Sequence, residues 1–525
     1  MKNKLTIGFL FLSLCVLFIS LRFTTDKYRF DDLRLSGAEY EAIRQTRQKT
    51  EQELVTELYV NDLSLFYDAP NSRWFYSSSQ TGDGSRLSID FRSPVKDVKL
   101  GTGSAGTSGT EIPVIAYTQS EYKEYTLVTT PLPLIRIRCG TTDLNYQAIP
   151  MELTLQNPWP HGNRAVLTSG GSVHTRGHST LRFPKKFLRV ELTQKDLNGE
   201  ITENRLPLLG LREDGDWLLY PAYNDQEKIR NVFSTNLWYS SCAGANSYDL
   251  KNGNEYKFVE LFLDQQYWGL YALSYPIDRK QMKIEPDKDG HYDEFLYKQS
   301  QWGPVSEDYS VDETIELQFP AEESDKEYGD LLLQMYFRYL HTDAPDGLFH
   351  NDEKNALDIW LFTKLIQAVD TVSTEMNKNL FYTIKSDGTG HKLLYTPWDL
   401  DVTWGTVWGE GYRNMMKDYV LSPDSNGTEM RQNPVSVMMG SDPSVAGKIR
   451  ERYAQLRSDG WSDEKIDKML DGFERDIYDS GAYLRDMERW PEGSYADPEL
   501  KLSVFRDYVH KRLESMDRYI TGLGK

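Results

Sequence analysis

The spacing of apolar residues changes along the 525-residue chain, and this change limits the possible folds more than any other feature. From about residue 86 to residue 170, short runs rich in Val, Ile, Thr and Tyr are separated by proline and glycine, as expected for strands. Residues 165–410 alternate strand-like and helix-like segments. After about residue 445 the apolar residues recur at helical spacing. The pattern predicts an α+β fold.

Two stretches are predicted to be helical from their local sequence. Residues 37–65 are rich in helix formers and follow Ser36, a suitable N-cap, which predicts a helix near the N-terminus. Near the C-terminus, two apolar series have the spacing of helix faces that point into a core. The first series is Ile466, Met469, Leu470 and Phe473, and the second is Leu502, Phe505, Val509 and Leu513.

The N-terminus is predicted to be an uncleaved signal anchor. Lys2 and Lys4 precede an apolar run from Leu5 to about Leu21, close to the length of about 20 residues that a membrane helix needs. No small-x-small cleavage site follows the run, although a signal peptide that is removed to release a secreted protein stays an alternative. The positive-inside rule places the rest of the chain outside the cytoplasm.

Charge and cysteine content exclude several classes of protein. The formal net charge of −19 repels nucleic acid phosphates, so no nucleic acid partner is expected. The three cysteines, Cys15, Cys139 and Cys242, are too few for a disulfide framework or a four-cysteine zinc site. One bridge between Cys139 and Cys242 stays an alternative outside the cytoplasm.

The first segment whose residues could take part in binding or catalysis is a turn followed by a basic strand. Residues 176–180 read Arg-Gly-His-Ser-Thr, and Gly, Ser and Thr in a turn offer N–H groups and hydroxyls that suit phosphate oxygens. In the strand that follows, Lys185 projects beneath the turn, which is a kinase-like arrangement. The alternative is a polar hairpin with surface lysines.

The carboxylate of Glu260 stands out because of its apolar surroundings. Glu260 lies in the strand Val259-Glu260-Leu261-Phe262-Leu263, where its burial would be costly unless a cation pairs with it. A lysine is one such partner.

Acidic and amide residues then cluster around a predicted hairpin. A helix from about Leu357 to Val369 ends at Asp370, and Asn379 precedes a strand. A turn through Asp387-Gly388 leads to Pro397-Trp398-Asp399-Leu400-Asp401. Carboxylate and amide oxygens are what Mg²⁺ needs, and an aspartate can accept the proton of a substrate hydroxyl. The alternative is a turn that is rich in Asp for capping reasons.

The order of these segments resembles the CotH kinase family over roughly residues 165–410. The shared series is Arg-Gly-x-Ser-Thr with Phe-Pro-Lys-Lys, then Trp with Asp and Arg-Asn, then Gly-x-Tyr, then Asn before Phe-Tyr, and Pro-Trp-Asp-x-Asp. The resemblance implies an atypical protein-kinase-like core that phosphorylates spore-coat or other surface proteins, with ATP and Mg²⁺ or Mn²⁺ as cofactors. The chain would then divide into an anchor (1–27), a helix and strand-rich region (28–164), the core (165–410) and a mainly helical region (411–525).

The resemblance also implies roles for individual residues. Lys185 is similar to the lysine that holds the nucleotide phosphates, and Arg176 and Ser179 to the loop over them. Asp370 is similar to the catalytic aspartate. Asn379 and Asp399 are similar to the metal-binding residues, and Asp401 is expected to be a second metal-binding carboxylate.

The sequence departs from the family pattern at two positions. Tyr275 stands where the family commonly has a glutamate, and Glu260 is the expected substitute in the nucleotide or lysine-pairing contact. The segment between Asp370 and Asn379 is stretched and contains Glu375, which is an alternative base. A catalytically inactive surface-binding or structural module is therefore the alternative to a kinase, and the 33 Tyr and 12 Trp residues would suit it.

Hydrolase chemistry finds little support in the sequence. The eight histidines form no recognisable cluster, and His174 and His178 flank a turn and a strand rather than lying on one helix face. A Gly-x-Ser-x-Gly elbow is also absent from the sequence.

Overall fold

The computed structural model describes residues 28–78, 88–103, 111–157, 166–177, 179–304, 314–320, 323–341, 351–372, 376–408, 412–414, 435, 443–493, 497 and 499–523. The predicted anchor, His178 and Glu375 lie outside the described residues. Within these ranges, none of the helices combines the length and the apolar character that crossing a membrane requires.

Two sheets form the N-terminal region. Their strands are β1 (Tyr28–Arg29), β2 (Gln48–Lys49), β3 (Glu57–Val60), β4 (Leu63–Ser64), β5 (Phe66–Asp68), β6 (Arg73–Ser77), β7 (Ser88–Arg92), β8 (Lys99–Thr102), β9 (Glu111–Tyr117) and β10 (Glu121–Thr130). One sheet has the order β1-β7-β3-β4, and the other has the order β5-β6-β10-β9-β8 with β2 beside β10.

The predicted N-terminal helix is much shorter than expected. Helix α1 (Gly37–Thr46) begins at a capping box, in which Ser36 Oγ accepts from the Glu39 N–H and Glu39 Oε2 accepts from the Ser36 N–H. The helix ends at Thr46, and the prediction that it continues to residue 65 is wrong. Leu58 and Val60 are buried while their neighbours are partly exposed, so burial follows the two-residue period of a strand.

An eight-stranded sheet forms the centre of the protein. Its strands are β11 (Leu134–Arg138), β12 (Ile149–Gln156), β13 (Val166–Arg176), β14 (Phe187–Lys195), β15 (Ile201–Glu203), β16 (Asp216–Tyr220), β17 (Lys257–Leu263) and β18 (Gln266–Ser274). The order is β13-β12-β11-β17-β18-β16-β14-β15, and a further pairing of β13 with β14 closes the sheet on itself. The predicted boundary near residue 164 therefore cuts through this sheet, because β11 and β12 lie before it.

Alternation along the strands of the closed sheet separates two apolar layers. Val190, Leu219 and Leu261 pack together in one layer. Phe187, Leu218 and Phe258 belong to the other layer, which packs with the helices. Cys139 packs beside the first layer, whereas Cys242 is buried in the second, and both are free thiols.

A smaller sheet carries the predicted acidic hairpin. The remaining strands are β19 (Phe295–Gln299), β20 (Gly303–Pro304), β21 (Ile315–Phe319), β22 (Met376–Asn377), β23 (Leu380–Ser386), β24 (His391–Pro397), β25 (Thr406–Trp408) and β26 (Tyr412–Asn414). The four-stranded sheet has the order β21-β19-β23-β24. The turn between β23 and β24 passes through Gly388 at φ +80°, which confirms the predicted hairpin.

Helices pack against the closed sheet and against the β21-β19-β23-β24 sheet, and they complete the main core. They are α2 (Arg230–Ser241), α3 (Glu323–His341), α4 (Glu353–Ile366), α5 (Pro443–Ser458), α6 (Asp463–Phe473), α7 (Ala482–Arg489) and α8 (Leu502–Gly522). Both C-terminal apolar series lie on helices and pack into this core, as predicted. The mixture of helices and strands confirms the α+β class.

Candidate active site

The end of the β23–β24 hairpin brings two predicted metal-binding residues together. Asn379 immediately precedes β23, and its carbonyl accepts a 2.9 Å hydrogen bond from the N–H of Trp398, next to Asp399. Asn379 and Asp399 have φ values of +55° and +56°. Asn and Asp visit this left-handed region more readily than other non-glycine residues. The local sequence therefore suits the conformation that places both side chains at the hairpin end.

Asp370 is fixed beside the same hairpin end. Helix α4 ends at Ile366, the C-cap residue Gln367 adopts a left-handed conformation, and Asp370 follows shortly after it. Its carboxylate accepts hydrogen bonds from Lys378 Nζ at 3.0 Å and from Asn379 Nδ2 at 3.1 Å. The predicted catalytic aspartate and the predicted metal-binding amide are thus direct neighbours.

The turn that contains Asp399 and Asp401 is held by the segment around the start of α2. Asn231 Oδ1 accepts a hydrogen bond from the N–H of Leu400 at 2.9 Å. Asn224 Nδ2 donates to Asp401 Oδ2 at 2.7 Å. Arg230 Nε donates to the carbonyl of Thr403 at 3.1 Å. These contacts set the position of both carboxylates relative to the closed sheet.

The carboxylates are close enough to affect one another electrostatically. Burial raises the pKa of Asp399, and the charge of Asp370 raises it further. Burial also raises the pKa of Asp401 well above its usual range, with added effects from Asp399 and Asp370. The buried hydroxyl of Tyr220 makes no hydrogen bond within the described residues. Burial and then the charges of Asp401 and Asp399 raise the pKa of this phenol.

Besides Lys378, two further cations lie near Asp399 without bonding to it. The Arg176 guanidinium lies 4.9 Å from the ring centre of Phe187 and 5.8 Å from that of Trp398. Lys298 Nζ lies 5.7 Å from the ring centre of Trp398. Burial lowers the pKa of both cations, and the charge of Asp399 opposes this effect. Arg176, Lys298 and Asp399 make no hydrogen bond or ion pair within the part of the chain that the structure describes.

A carboxylate near cations that have no hydrogen-bond acceptor within the described residues suits a polyphosphate and its divalent metal. Within the described ranges, no three His, Cys, Asp or Glu side chains come close enough to hold a metal ion by themselves. Mg²⁺ usually takes one or two carboxylates and completes its shell with phosphates and water. The unbonded carboxylate of Asp399 and the unpartnered hydroxyl of Tyr220 leave hard oxygen atoms available for such a group. The residues present therefore fit a divalent metal that is held partly by a nucleotide.

A comparison with protein-family models identifies the family. The model described as CotH kinase protein matches residues 173–516, well over half of the chain. The chain belongs to the CotH kinase family. The segment matched to CotH begins within β13, ends within α8 and contains every residue of the site described above. A search of curated proteins found no significant match.

The ammonium group of Lys185 is bonded to buried protein groups and not to the carboxylates of this CotH site, whereas the sequence predicted contact with nucleotide phosphates. Its Nζ donates to the carbonyls of Pro221 and Leu270, both at 2.6 Å, and to Asp486 Oδ1 at 2.7 Å. The side chain is 0% exposed. An ammonium group has three hydrogens, and all of them are bonded to protein acceptors. This arrangement leaves no donor for nucleotide phosphates.

Glu260 does not pair with a lysine. Its Oε1 accepts hydrogen bonds from Arg485 Nε at 2.9 Å and from the hydroxyl of Tyr267 at 3.0 Å. The expectation that Glu260 pairs with Lys185 is therefore incorrect, because the carboxylate that pairs with Lys185 is that of Asp486. Arg485 and Asp486 are consecutive residues of α7, so this helix supplies the partners of both predicted residues.

Arg176 is the residue of the predicted phosphate loop that the structure places near Asp399. This residue ends β13, and the following Gly177 has a φ of +105°. Ser179 begins a short 3₁₀ helix, Ser179–Arg182, but its side chain lies outside the described part of the structure.

Sequence reasoning missed Lys298 and Lys378. Lys298 follows Phe295-Leu296-Tyr297, three buried residues of β19. A charged residue within such an apolar strand was the available signal, since burial of an unpaired charge is costly. Lys378 adjoins Asn379 in the sequence, but its bond to Asp370 depends on the fold of the intervening loop.

Proposed function

We propose that this CotH-family protein is a kinase that transfers the γ-phosphate of ATP to serine or threonine hydroxyls of other proteins. The observation that carries this proposal is the environment of Asp399. This carboxylate has no hydrogen bond within the described residues, lies near Asp370 and Asp401, and faces the cations Arg176 and Lys298. Phosphoryl transfer is catalysed mainly by positioning and by electrostatic stabilisation. The carboxylates and the cations near Asp399 are suited to these two tasks.

Each residue has a defined part in the proposed reaction. The Arg176 guanidinium binds phosphate oxygens of ATP, since planar guanidinium groups match them well. Asp399, Asp401 and Asn379 would hold Mg²⁺ or Mn²⁺. When bound, the metal supplies positive charge that offsets the charge developing on the phosphates. Asp370 accepts the proton of the attacking hydroxyl, and its bonds to Lys378 and Asn379 keep it oriented.

The proposed location follows from the N-terminal sequence. With residues 1–27 as a signal anchor, the kinase would lie on the outer side of the membrane. Its protein substrate would then be a surface, coat or envelope protein, and ATP would have to be available in that compartment.

The test measures transfer of the γ-phosphate by the full-length protein, purified in mild detergent, with ATP and either Mg²⁺ or Mn²⁺. Mass spectrometry of the protein itself and of candidate surface proteins detects the phosphorylated residues. Asp399→Asn removes the charge at the site. Asp387→Asn is the matched control, because Asp387 is an exposed residue at the opposite, turn end of the same hairpin.

Metal-dependent phosphorylation that Asp399→Asn abolishes and Asp387→Asn retains is the expected result. ATP binding without transfer to any protein tested would favour the inactive binding or structural module instead. A folded wild-type protein that binds no ATP with either metal would contradict the kinase proposal.

A further inference from the structure

The strand β19 places a second lysine beside the proposed phosphate site. Lys298 pairs across the sheet with Phe381 on one side and with Glu316 on the other. Its Nζ lies 5.8 Å from the ring centre of Phe381 and 5.7 Å from that of Trp398. Trp398 immediately precedes Asp399, and the ammonium group is close enough to this carboxylate for their charges to interact.

The surroundings of Lys298 leave its charge poorly compensated. The side chain is half-buried, and no acceptor for its three hydrogens is present within the described residues. Arg176 lies near the same tryptophan and repels Lys298, whereas Asp399 and Glu316 attract it without forming an ion pair. A partly desolvated ammonium group without an acceptor is unfavourable. An anionic ligand at Asp399 would supply the missing oxygens and reduce the repulsion between the two cations.

Lys185 has the opposite properties. It is fully buried, its three hydrogens are bonded, and its neighbouring charges are Asp486 and Lys228 rather than Asp399. Its bonds connect the closed sheet to α7. Contact with a nucleotide at Asp399 would require these bonds to break.

We propose that Lys298, and not Lys185, is the lysine that contacts the phosphates of the bound nucleotide. This inference rests on the proposed function, because it assumes that ATP binds next to Asp399. Arg176 and Lys298 then approach the phosphates from β13 and β19, which belong to two different sheets. Binding of the phosphates would therefore connect the closed sheet with the sheet that contains β19.

The test compares the affinities of the full-length protein for ATP and for adenosine by calorimetry in the presence of Mg²⁺. Lys298→Met removes the ammonium group and keeps a chain of similar length. Lys298→Arg keeps the charge. Lys392→Met is the matched control, because Lys392 is a partly exposed lysine on β24 near the opposite end of the hairpin.

Lys298→Met is expected to weaken ATP binding roughly tenfold to a hundredfold, the usual effect of losing a hydrogen bond to a charged group. Adenosine binding should stay unchanged, since adenosine has no phosphate. The unfolding temperature of the free protein should not fall, since Lys298 makes no hydrogen bond or ion pair within the described residues. Lys298→Arg should recover most of the ATP affinity, and Lys392→Met should match the wild type.

Two results would overturn the inference. One is unchanged ATP affinity in Lys298→Met, and the other is an equal loss of ATP and adenosine binding, which would indicate a structural role. Failure of the wild-type protein itself to bind ATP would contradict the proposed function, and is thus distinguishable from failure of the assignment to Lys298.

Discussion

Lys185 Nζ donates to Asp486 Oδ1 over 2.7 Å, although 301 positions separate the two residues in the sequence. Lys228 Nζ lies 2.9 Å from the other oxygen of the same carboxylate. Gly269 packs so closely against this carboxylate that a Cβ atom there would lie 2.3 Å from Asp486 Oδ1. The pair therefore fastens α7 tightly to the closed sheet.

Lys185→Met is expected to destabilise the protein by about 3–5 kcal/mol, because removal of one partner leaves a buried charge without its full compensation. Urea unfolding at pH 7 measures the free energy difference. Lys257→Met is the control, since Lys257 is an exposed lysine on β17 that forms a surface ion pair with Glu255. Equal stabilities of the two variants would show that Lys185 does not fasten α7.

The stabilising effect of Lys185 should increase with pH between about 8 and 10. Burial lowers the pKa of Lys185 to about 8, while Asp486 opposes the shift. An unfolded lysine keeps its proton up to about pH 10.4. In this window the unfolded chain binds more protons than the native one, so unfolding becomes less favourable as pH rises.

The measurement for this pH dependence is the difference in unfolding free energy between wild type and Lys185→Met at pH 7 and at pH 9.5. Taking this difference cancels the contributions of the other titrating groups to the unfolding free energy. A difference that shrinks as pH rises would contradict the lowered pKa of Lys185.

Asn379→Ala should be less stable than Asn379→Gly by about 1 kcal/mol, because alanine is strained in the left-handed conformation and glycine is not. Both variants lose the hydrogen bonds from Asn379 Nδ2 to Asp370. Both should therefore lose phosphotransferase activity, despite their different stabilities. Thermal unfolding and phosphate transfer measure the two effects separately, and an active Asn379→Gly variant would show that these bonds are dispensable.

Cys139 and Cys242 are expected to differ in reactivity and to remain unlinked. Cys242 is 1% exposed, and burial raises the pKa of both thiols. Iodoacetamide at neutral pH should modify the partly exposed Cys139 slowly and Cys242 at least about tenfold more slowly, until urea exposes both. Peptide mapping without reductant identifies the modified residues, and a Cys139–Cys242 peptide pair would refute the separation of these thiols.

Sequence patterns predicted elements whose partners are close along the chain. The β23–β24 hairpin and the two C-terminal apolar series followed from local periodicity and turn residues. The relation of Asp370, Asn379 and Asp399 could also be anticipated, since all three flank this hairpin. The helix predicted over residues 37–65 failed beyond Thr46 because two strands that are distant in sequence pair with that segment. Strand 121–130 pairs with residues 48–49, and strand 88–92 pairs with residues 57–60.

Long-range pairing explains the site residues that were misplaced or missed. The partner of Lys185 lies on α7, and the partner of Glu260 is the preceding residue of that helix. Neither local spacing nor composition links these positions. Lys298 lies near Asp399 because β19 pairs with β23 in the sheet of order β21-β19-β23-β24.

The parallel pairing of β11 with β17 limits where recombination can separate this protein into parts that still fold. A segment that began at residue 173, where the match to the CotH family starts, would lack β11 and β12. The backbone of β17 would then form an open edge beside apolar side chains such as Val259 and Leu261, and such edges promote association with other chains. Recombination that separated the preceding strands from the family segment would therefore yield an aggregating product. The strands from Leu134 onward and the CotH segment are expected to pass between proteins as one unit.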